Sequence, residues 1–440
     1  MTGTRLVVVL YSRVAGVIER TGGLLSFTYD DDYRSLPMAT PLSLSMPLTG
    51  ARYTNRVVEA FLRGLLPDTD DVRRRWAAHF GLRDRDTFGL IAAIGTDAAG
   101  GAVFIPEDDY PAALGEGSVE PISDAAIAER LRRLREDSTD WLGDDEHWSL
   151  AGAQSKFTLR ALGDRWGIAH GSEPSTHIVK PGISTIPGHA LIEHVTMAAA
   201  SSMGLRVAIT RYVEFEDQPA IVVTRFDRRE RDGVWERIHQ EDLCQSFGLD
   251  PSRKYESDRG PGVARIASLL RDTTRPSAVD EFGRAVVANY LLGAPDAHAK
   301  NYSVMLAAAA VQFADLYDMA SGLTATRDGQ LRYPKGAMSM GGERAFGEVR
   351  GRNWTRFATA LGVPATAVRE WVLGLADDAP HAVSDAIRAL PPRLRRQPEL
   401  RVLATRVRRL SELTIRDVDD LSAGRRTGPS GSETLAGEPG

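Results

Sequence analysis

Two hydrophobic patterns divide the chain into a strand-rich first part and a helix-rich second part. Short β-rich runs bounded by turn residues predict strands at residues 6–10, 24–29, 176–180, 208–215, 220–226 and 311–316. Apolar positions that recur every three or four residues predict helices at residues 57–62, 127–134, 191–203, 241–247, 263–270, 279–292, 354–361 and 401–413. Strands first and helices later indicate an α+β body with two lobes.

Composition shifts along the chain predict the domain boundaries. Residues 106–122 are rich in Pro, Gly, Asp and Glu and are interpreted as a linker, with a boundary near residue 112. The last residues are Gly, Ser, Pro and Glu without periodic apolar positions, which is typical of disorder. The predicted parts are an N-terminal β-rich subdomain at 1–112, a main domain at 113–421 with a first lobe to about 235 and a helical lobe from 236, and a disordered tail at 422–440.

Composition and charge then exclude several classes of protein. Of the 440 residues, 42% are hydrophobic and 26% are charged, which is ordinary soluble usage and excludes a collagenous or wholly disordered chain. The 54 Lys and Arg against 59 Asp and Glu give a net charge of −5, which disfavours stand-alone DNA binding. The single cysteine, Cys244, is predicted to be a buried thiol. The absence of a signal-peptide core and of an apolar run of roughly 20 residues predicts a cytoplasmic protein that contacts no membrane.

The most specific chemistry follows the helix predicted at 279–292. Gly293 and Pro295 are expected to end that helix, so Asp296 begins a loop attached to a rigid element. Asp296 and Asn301 have the Asp-x4-Asn spacing of the protein-kinase catalytic loop, in which the Asp accepts the proton of the attacking hydroxyl and the Asn holds a metal ion. Asp318 is a second carboxylate suited to Mg²⁺. Ordinary turns are the alternative interpretation, because Asp and Asn are common in turns.

Two segments upstream fit the binding of nucleotide phosphates. Residues 149–156 are rich in small residues, which let backbone N–H groups approach phosphate oxygens; a hairpin loop is the alternative. Alternation along residues 176–180 puts Ile178 and Lys180 on one face. There Lys180 would hold phosphates and Glu193 on the next helix would orient it by ion pairing; an edge-strand lysine is the alternative. In chain order these parts match kinase-type phosphoryl transfer.

At these residues the sequence resembles the HipA family of toxin-antitoxin kinases. The matching segments are residues 149–156, 177–180, 225–228, 240–242, 244–245, 254–256, 296–303, 316–318 and 337–342. The resemblance covers nearly all of the chain except the tail. It implies a protein-kinase-like two-lobed α+β fold with an added N-terminal subdomain, and an enzyme that phosphorylates protein Ser and Thr with ATP and Mg²⁺.

The resemblance also implies roles for single residues. Asp296 would be the catalytic base, Asn301 and Asp318 would hold the metal, and Glu193 would support the site. Ser149 matches the family's autophosphorylated loop serine, whose phosphorylation inactivates the enzyme. The residues implied in ATP binding are Ala151, Gly152, Ala153, Gln154, Ser155, Lys156, Lys180, Thr224, Arg225, Phe226, His298, Ala299, Lys300, Asn301, Tyr317 and Asp318.

The implied biological role is that of the toxin in a type II toxin-antitoxin system, acting in growth arrest and persistence. Its expected partners are a HipB-like DNA-binding antitoxin and a translation-related protein substrate such as an aminoacyl-tRNA synthetase, with DNA reached only through the antitoxin. Two alternatives remain: a small-molecule kinase on the same fold, and a corepressor or binding module acting with the antitoxin. The intact Asp296, Asn301 and Asp318 favour the enzymes.

An Arg-rich stretch at residues 388–409 has two interpretations. Most such charge runs are solvated helix faces. The alternative hypothesis is contact with DNA phosphates or an acidic partner within a repressor complex.

Overall fold

The structure is a computed structural model that describes residues 4–115, 117–143, 146–308 and 310–422. The strands are β1 Arg5–Leu10, β2 Arg13–Thr21, β3 Leu24–Tyr29, β4 Arg52–Thr54, β5 Val103–Pro106, β6 Ser118–Ile122, β7 Phe157–Leu162, β8 Arg165–His170, β9 His177–Lys180, β10 Thr210–Phe215, β11 Gln218–Thr224, β12 Arg228–Arg231, β13 Val234–Arg237, β14 Gln240–Asp242, β15 Ser303–Ala307, β16 Ala310–Phe313, β17 Thr326–Arg327, β18 Gln330–Leu331, β19 Lys335–Met340 and β20 Glu343–Ala345. The helices are α1 Asp31–Arg34, α2 Asn55–Leu65, α3 Asp70–His79, α4 Thr87–Ile94, α5 Asp124–Glu136, α6 His189–Ser202, α7 Leu243–Ser246, α8 Val263–Thr273, α9 Ser277–Leu291, α10 Gly351–Leu361, α11 Ala365–Ala389 and α12 Pro398–Ser422.

The chain divides into two compact units. Unit 1 comprises the chain up to Ile183, Arg211–Lys254 and Ser303–Ala314. Unit 2 comprises Ser184–Thr210, Tyr255–Tyr302 and the chain from Asp315.

Unit 1 contains two larger antiparallel sheets, with the strand orders β4-β3-β2-β1-β5 and β10-β11-β9-β7-β8-β6. Strand β1 is buried on both faces: Leu6 and Val8 belong to the main core, and Val7 and Val9 pack with Ile105 of β5 in a smaller cluster. Two covered faces explain why β1 is a continuous apolar run rather than an alternating one.

One hydrophobic core in unit 1 includes residues on both sides of the predicted boundary at 112. Trp76 of α3 packs edge-to-face against Trp141 and Trp148, at ring-centroid distances of 6.2 and 5.8 Å. The same core contains Phe61 of α2 and Phe157 of β7. This core is shared by the segments on either side of residue 112, and the boundaries at 112 and 235 both stay predictions.

Unit 2 is mainly helical, and α11 packs against α6, α9 and α12. Helix α9 buries Phe282, Val286, Tyr290 and Leu291, the face that its sequence predicts. No helix among the described residues is both long enough and apolar enough to cross a membrane.

The observed elements confirm most of the predicted ones and correct two of them. The helix predicted at 241–247 is wrong in its first turn, because Gln240–Asp242 pairs with β15 and only Leu243–Ser246 is helical. The interpretation of 106–122 as a linker is wrong for Ser118–Ile122, which forms an edge strand paired with β8. Helix α11 has no counterpart among the predicted helices. Cys244 is buried, as predicted, and residues 423–440 of the predicted tail lie outside the described residues.

Candidate active site

The loop that begins near Asp296 is held at the end of a buried helix. After α9, Gly293 adopts a left-handed conformation with φ of 66°, which glycine reaches without steric cost and which commonly ends helices. A Cβ atom at this position would lie 2.3 Å from Cγ of Leu323, so the site also requires the lack of a side chain. The predicted helix stop at Gly293 and Pro295 is confirmed.

Asp296 presents an accessible carboxylate on a fixed backbone. Its side chain is 58% exposed, and the Tyr255 hydroxyl donates a hydrogen bond to Oδ1 at 2.6 Å. The Asp296 carbonyl oxygen accepts from the backbone N–H of His298 at 2.8 Å and from Nδ2 of Asn301 at 2.7 Å. An oriented carboxylate that remains reachable has the geometry required of a proton acceptor.

Asn301 and Asp318 have the chemistry required to hold a hard cation. Because the Asn301 side chain donates through Nδ2, its Oδ1 is the atom that remains to ligate a metal. Asp318 has φ of 58°, a region in which Asp is enriched over most other residues. The Tyr317 hydroxyl donates to the Lys300 carbonyl oxygen at 2.6 Å, which ties the segment of Asp318 to the loop of Asn301. A carboxylate and an amide oxygen fit Mg²⁺, which needs few protein ligands because it keeps several waters.

In unit 1, Lys180 lies on a central strand. Strand β9 has β11 on one side and β7 on the other, so the edge-strand alternative for this lysine is wrong. Lys180 is opposite Ile221, while Ile178 is opposite Val223 and Thr158, which confirms that Ile178 and Lys180 share one face. The Lys180 side chain is buried, with 5% exposure. A buried ammonium is costly unless an anion accompanies it, which fits a lysine that binds phosphate or a carboxylate.

Glu193 lies on α6 in unit 2 and is fully buried. Its predicted partner, Lys180, belongs to unit 1, and their ion pair stays a prediction.

The segment at 151–156 is a closed loop between α5 and β7, so the hairpin alternative is wrong. Nζ of Lys156 donates to the Ala151 carbonyl oxygen at 2.6 Å, and the loop passes through Gly152 at φ of 108°. The Gly152 carbonyl oxygen accepts from the Asp68 N–H at 2.9 Å, and the Asp68 carboxylate pairs with Lys254 at 2.7 Å. These contacts hold the loop at 151–156 to itself and to Asp68.

Ser149, which precedes this loop, is fully buried. Its Oγ donates to the Leu65 carbonyl oxygen at 2.7 Å, and its N–H donates to the Asp97 carbonyl oxygen at 3.1 Å. The hydroxyl is therefore inaccessible to a phosphoryl donor in this conformation.

The segment 224–226, which the family resemblance implies in ATP binding, contains an arginine whose side chain is bonded within unit 1. Arg225 is buried and donates to both carboxylate oxygens of Asp227, at 3.0 and 2.8 Å, and to Asp97 at 3.4 Å. Its backbone N–H donates to the Thr176 carbonyl oxygen. Its carbonyl oxygen accepts from the Arg228 N–H at 3.3 Å, so the side chain and backbone of Arg225 are all bonded within unit 1.

The same buried cluster contains Arg228 and Arg237 beside Asp97. Burial alone raises the pKa of the Asp97 carboxyl, but the guanidinium groups of Arg225, Arg228 and Arg237 outweigh burial and hold that pKa well below its usual range. The segment 225–228 is thus tied to Asp97 by buried ion pairs within unit 1.

The sequence alone did not identify two residues, one in the buried arginine cluster and one beside Asp296. Asp97 lies in a stretch without any distinguishing motif, so no sequence signal could have identified it. Tyr255 lies within a segment that carried the family resemblance, 254–256, but its spacing from Asp296 in the chain gives no sign of their hydrogen bond.

Models of known domain families match most of this chain. The model of the HipA N-terminal domain matches residues 6–105, and the model of the HipA-like C-terminal domain matches residues 148–383. The kinase-like protein Y4mE of Sinorhizobium fredii is 33% identical over 370 residues, covering 82% of this chain and 86% of the relative. The serine/threonine-protein kinase toxin HipA of Shewanella oneidensis is 31% identical over 372 residues, covering 80% of this chain and 82% of the relative.

The chain belongs to the HipA family. A solved structure of the toxin-antitoxin complex of Shewanella oneidensis HipA and HipB with operator DNA contains a chain similar to this one, with a TM-score of 0.83 and 27% identity. The match covers 96% of this chain and 100% of the solved chain. The predicted fold class, an α+β HipA-like kinase fold, is confirmed.

Proposed function

We propose that this HipA-family chain is an ATP-dependent serine/threonine protein kinase and the toxin of a toxin-antitoxin pair. The observation that carries the proposal is the accessible Asp296 carboxylate, held by Tyr255 and by the Asn301 contact to its backbone. The kinase toxin of Shewanella oneidensis, similar over most of its length, supports the same activity.

In the proposed reaction, Asp296 accepts the proton of a substrate Ser or Thr hydroxyl. The hydroxyl oxygen forms a bond to the γ-phosphorus of ATP, and the bond from that phosphorus to the β-phosphate oxygen breaks, which releases ADP. Asn301 and Asp318 would hold Mg²⁺, which offsets the negative charge that develops on the phosphates. Lys180 would hold phosphates as a point charge.

The remaining nucleotide contacts are proposed from the family resemblance. Residues 151–156 would cover the triphosphate with backbone N–H groups, and 224–226 would border the adenine. His298, Ala299, Lys300 and Tyr317 would complete the pocket. The backbone of His298 closes the Asp296 loop by donating to Asp296 and accepting from Asn301, which supports a structural role for this histidine.

Self-phosphorylation at Ser149 is part of the proposal and requires a conformational change. Its hydroxyl is buried against Leu65, so the segment would have to detach before the reaction. A phosphate carries about two negative charges and would not fit back into an apolar, hydrogen-bonded site, so phosphorylation would keep the loop at 151–156 displaced and the enzyme inactive.

The proposed partners are a HipB-like antitoxin, through which the toxin would reach DNA, and a translation-related protein substrate such as an aminoacyl-tRNA synthetase. The solved complex of Shewanella oneidensis HipA with HipB and operator DNA supports the antitoxin. We place the reaction in the cytoplasm. Corepression with the antitoxin is compatible with kinase activity.

Induced expression in a bacterial host tests this function. The wild-type chain should arrest growth, and Asp318→Asn, which removes a metal-binding charge, should relieve the arrest at equal protein level. Phosphopeptide mapping of the host proteins should find a Ser or Thr phosphorylated only with the wild type. Growth arrest that persists unchanged with Asp318→Asn would contradict a kinase toxin.

A further inference from the structure

Tyr255 lies beside the Asp296 carboxylate and takes no part in the proton transfer of the proposed reaction. It belongs to unit 2, as does Asp296. Its hydroxyl donates to Oδ1 of Asp296 at 2.6 Å, a distance typical of a strong hydrogen bond to an ionised oxygen. The bond joins residues 41 positions apart in the chain, so it depends on the tertiary fold.

The ring of Tyr255 is oriented by a second residue of the same loop. Its centroid lies 4.8 Å from that of His298, with an interplanar angle of 81°, an edge-to-face geometry that aromatic rings favour. His298 is itself buried, with 3% exposure. The phenol therefore approaches Asp296 from a fixed direction.

The backbone around Tyr255 is anchored from the other side. The Tyr255 carbonyl oxygen accepts from the N–H groups of Asp258 and Gly260, at 3.0 and 2.9 Å. The next residue, Glu256, accepts the N–H of Ser339 through Oε2 at 2.7 Å. Two segments that carried the family resemblance, 254–256 and 337–342, are thus joined by this hydrogen bond within unit 2.

We propose that Tyr255 is a positioning residue for Asp296. By donating to Oδ1 it fixes the rotation of the carboxylate relative to the proton of the substrate hydroxyl. Tyr255 transfers no proton itself and acts only through Asp296. This inference rests on the proposed function, because it assigns a support to the base of that reaction.

The test compares Tyr255→Phe with wild type, Asp296→Ala and the double variant. Phe keeps the ring contact with His298 and removes only the hydroxyl. Each protein is incubated with Mg-ATP alone, and phosphate incorporation into the chain is followed by intact mass over a range of ATP concentrations. Tyr53→Phe is the matched control, since it removes another hydroxyl that donates to a carbonyl oxygen, that of Pro47 in unit 1.

We expect Tyr255→Phe to lower the maximal rate by about 10- to 100-fold, because a misoriented reacting group loses rates of this order. The ATP concentration for half-maximal rate should change by less than about twofold, which separates positioning from nucleotide binding. The double variant should incorporate phosphate no more slowly than Asp296→Ala. Tyr53→Phe should equal wild type, and the melting temperatures should agree.

Other outcomes separate this inference from the proposed function. A wild-type rate in Tyr255→Phe, while Asp296→Ala is inactive, would overturn the role of Tyr255 and leave the kinase standing. A raised ATP requirement at an unchanged maximal rate would also overturn it. No incorporation by wild type, or equal incorporation by Asp296→Ala, would overturn the kinase function and this inference with it.

Discussion

At the scale of single residues, the buried ring of His239 in unit 1 is held in one protonation state by fixed partners. His239 is buried; its Nδ1 accepts the Gly101 N–H at 3.2 Å, and its Nε2 lies 2.9 Å from the Leu42 carbonyl oxygen. The ring therefore must be neutral, with its proton on Nε2. Burial lowers the pKa of His239 to about 4, although the Leu42 carbonyl opposes this.

This arrangement predicts a pH-dependent contribution to stability. The folded-state pKa lies below the unfolded value, so the stability that neutral His239 provides is present above about pH 6.5 and is lost as pH falls toward 4. Between pH 7 and 5 the loss should be about 2 kcal/mol. Burial raises the pKa of Glu241 to about 7, so this residue shifts stability in the opposite direction over overlapping pH values. The contribution of His239 must therefore be measured as the difference in unfolding free energy between wild type and a His239 variant.

His239→Gln provides that difference, because an amide offers one donor and one acceptor but does not titrate. Denaturant unfolding of wild type and variant at pH 7 and pH 5 should show that the advantage of wild type shrinks by about 2 kcal/mol at the lower pH. An advantage that is the same at both pH values would show that His239 does not take up a proton on unfolding.

The sequence identified the candidate reacting residues more readily than the residues that support them. Asp296, Asn301 and Asp318 were predicted from spacing and order, which depend on local chain geometry, and their roles stay predictions. Their supports depend on contacts between distant segments, such as Tyr255 with Asp296, and single-sequence patterns do not encode such contacts. Asp97, which binds buried guanidinium groups, was missed for the same reason.

At the scale of elements, predictions succeeded where the hydrophobic period was clear and failed where another signal competed. Helix α5, predicted at 127–134, begins after Ser123, whose side chain accepts from the Ala126 N–H as its N-cap. Helix α11 was missed because Pro380 lies inside it, and an interior proline usually indicates a helix end. Strand β6 was taken for a linker because of Pro121, which an edge strand tolerates.

Gly293 allows a test of how the end of α9 supports the site. Gly293→Ala would place Cβ 2.3 Å from Leu323 at a left-handed φ, so we expect it to destabilise the protein by about 1–3 kcal/mol and to lower kinase activity by displacing the Asp296 loop. Thermal unfolding and phosphate incorporation measure the two effects.

Gly374→Ala is the matched control, because this glycine lies within α11 with no atom in the space of its Cβ. It should stabilise the protein by about 0.5–1 kcal/mol and leave activity unchanged. If both variants have equal stability and activity, Gly293 does not constrain the catalytic loop.

At the scale of the whole molecule, the family was recognisable because its motifs are spread over nearly the whole chain in a fixed order. The division into compact units was not predictable, because unit 1 collects three separate parts of the chain. The sequence also does not show which arginines of the Arg-rich stretch bond within the fold. Arg406 donates to the Leu323 carbonyl oxygen and Arg395 to that of Leu390. Arg408 and Arg409, in contrast, are exposed on α12. The contact of this stretch with DNA stays a hypothesis.

The central claim, that the chain transfers phosphate with Asp296 as its base, is tested most directly by intact-mass measurement after incubation with Mg-ATP. Asp328→Ala serves as the control for Asp296→Ala, because Asp328 is also an exposed aspartate of unit 2. Wild type and Asp328→Ala should gain the mass of phosphate, located by peptide mapping at Ser149, and Asp296→Ala should gain none. Phosphate uptake by Asp296→Ala equal to that of wild type would contradict the account.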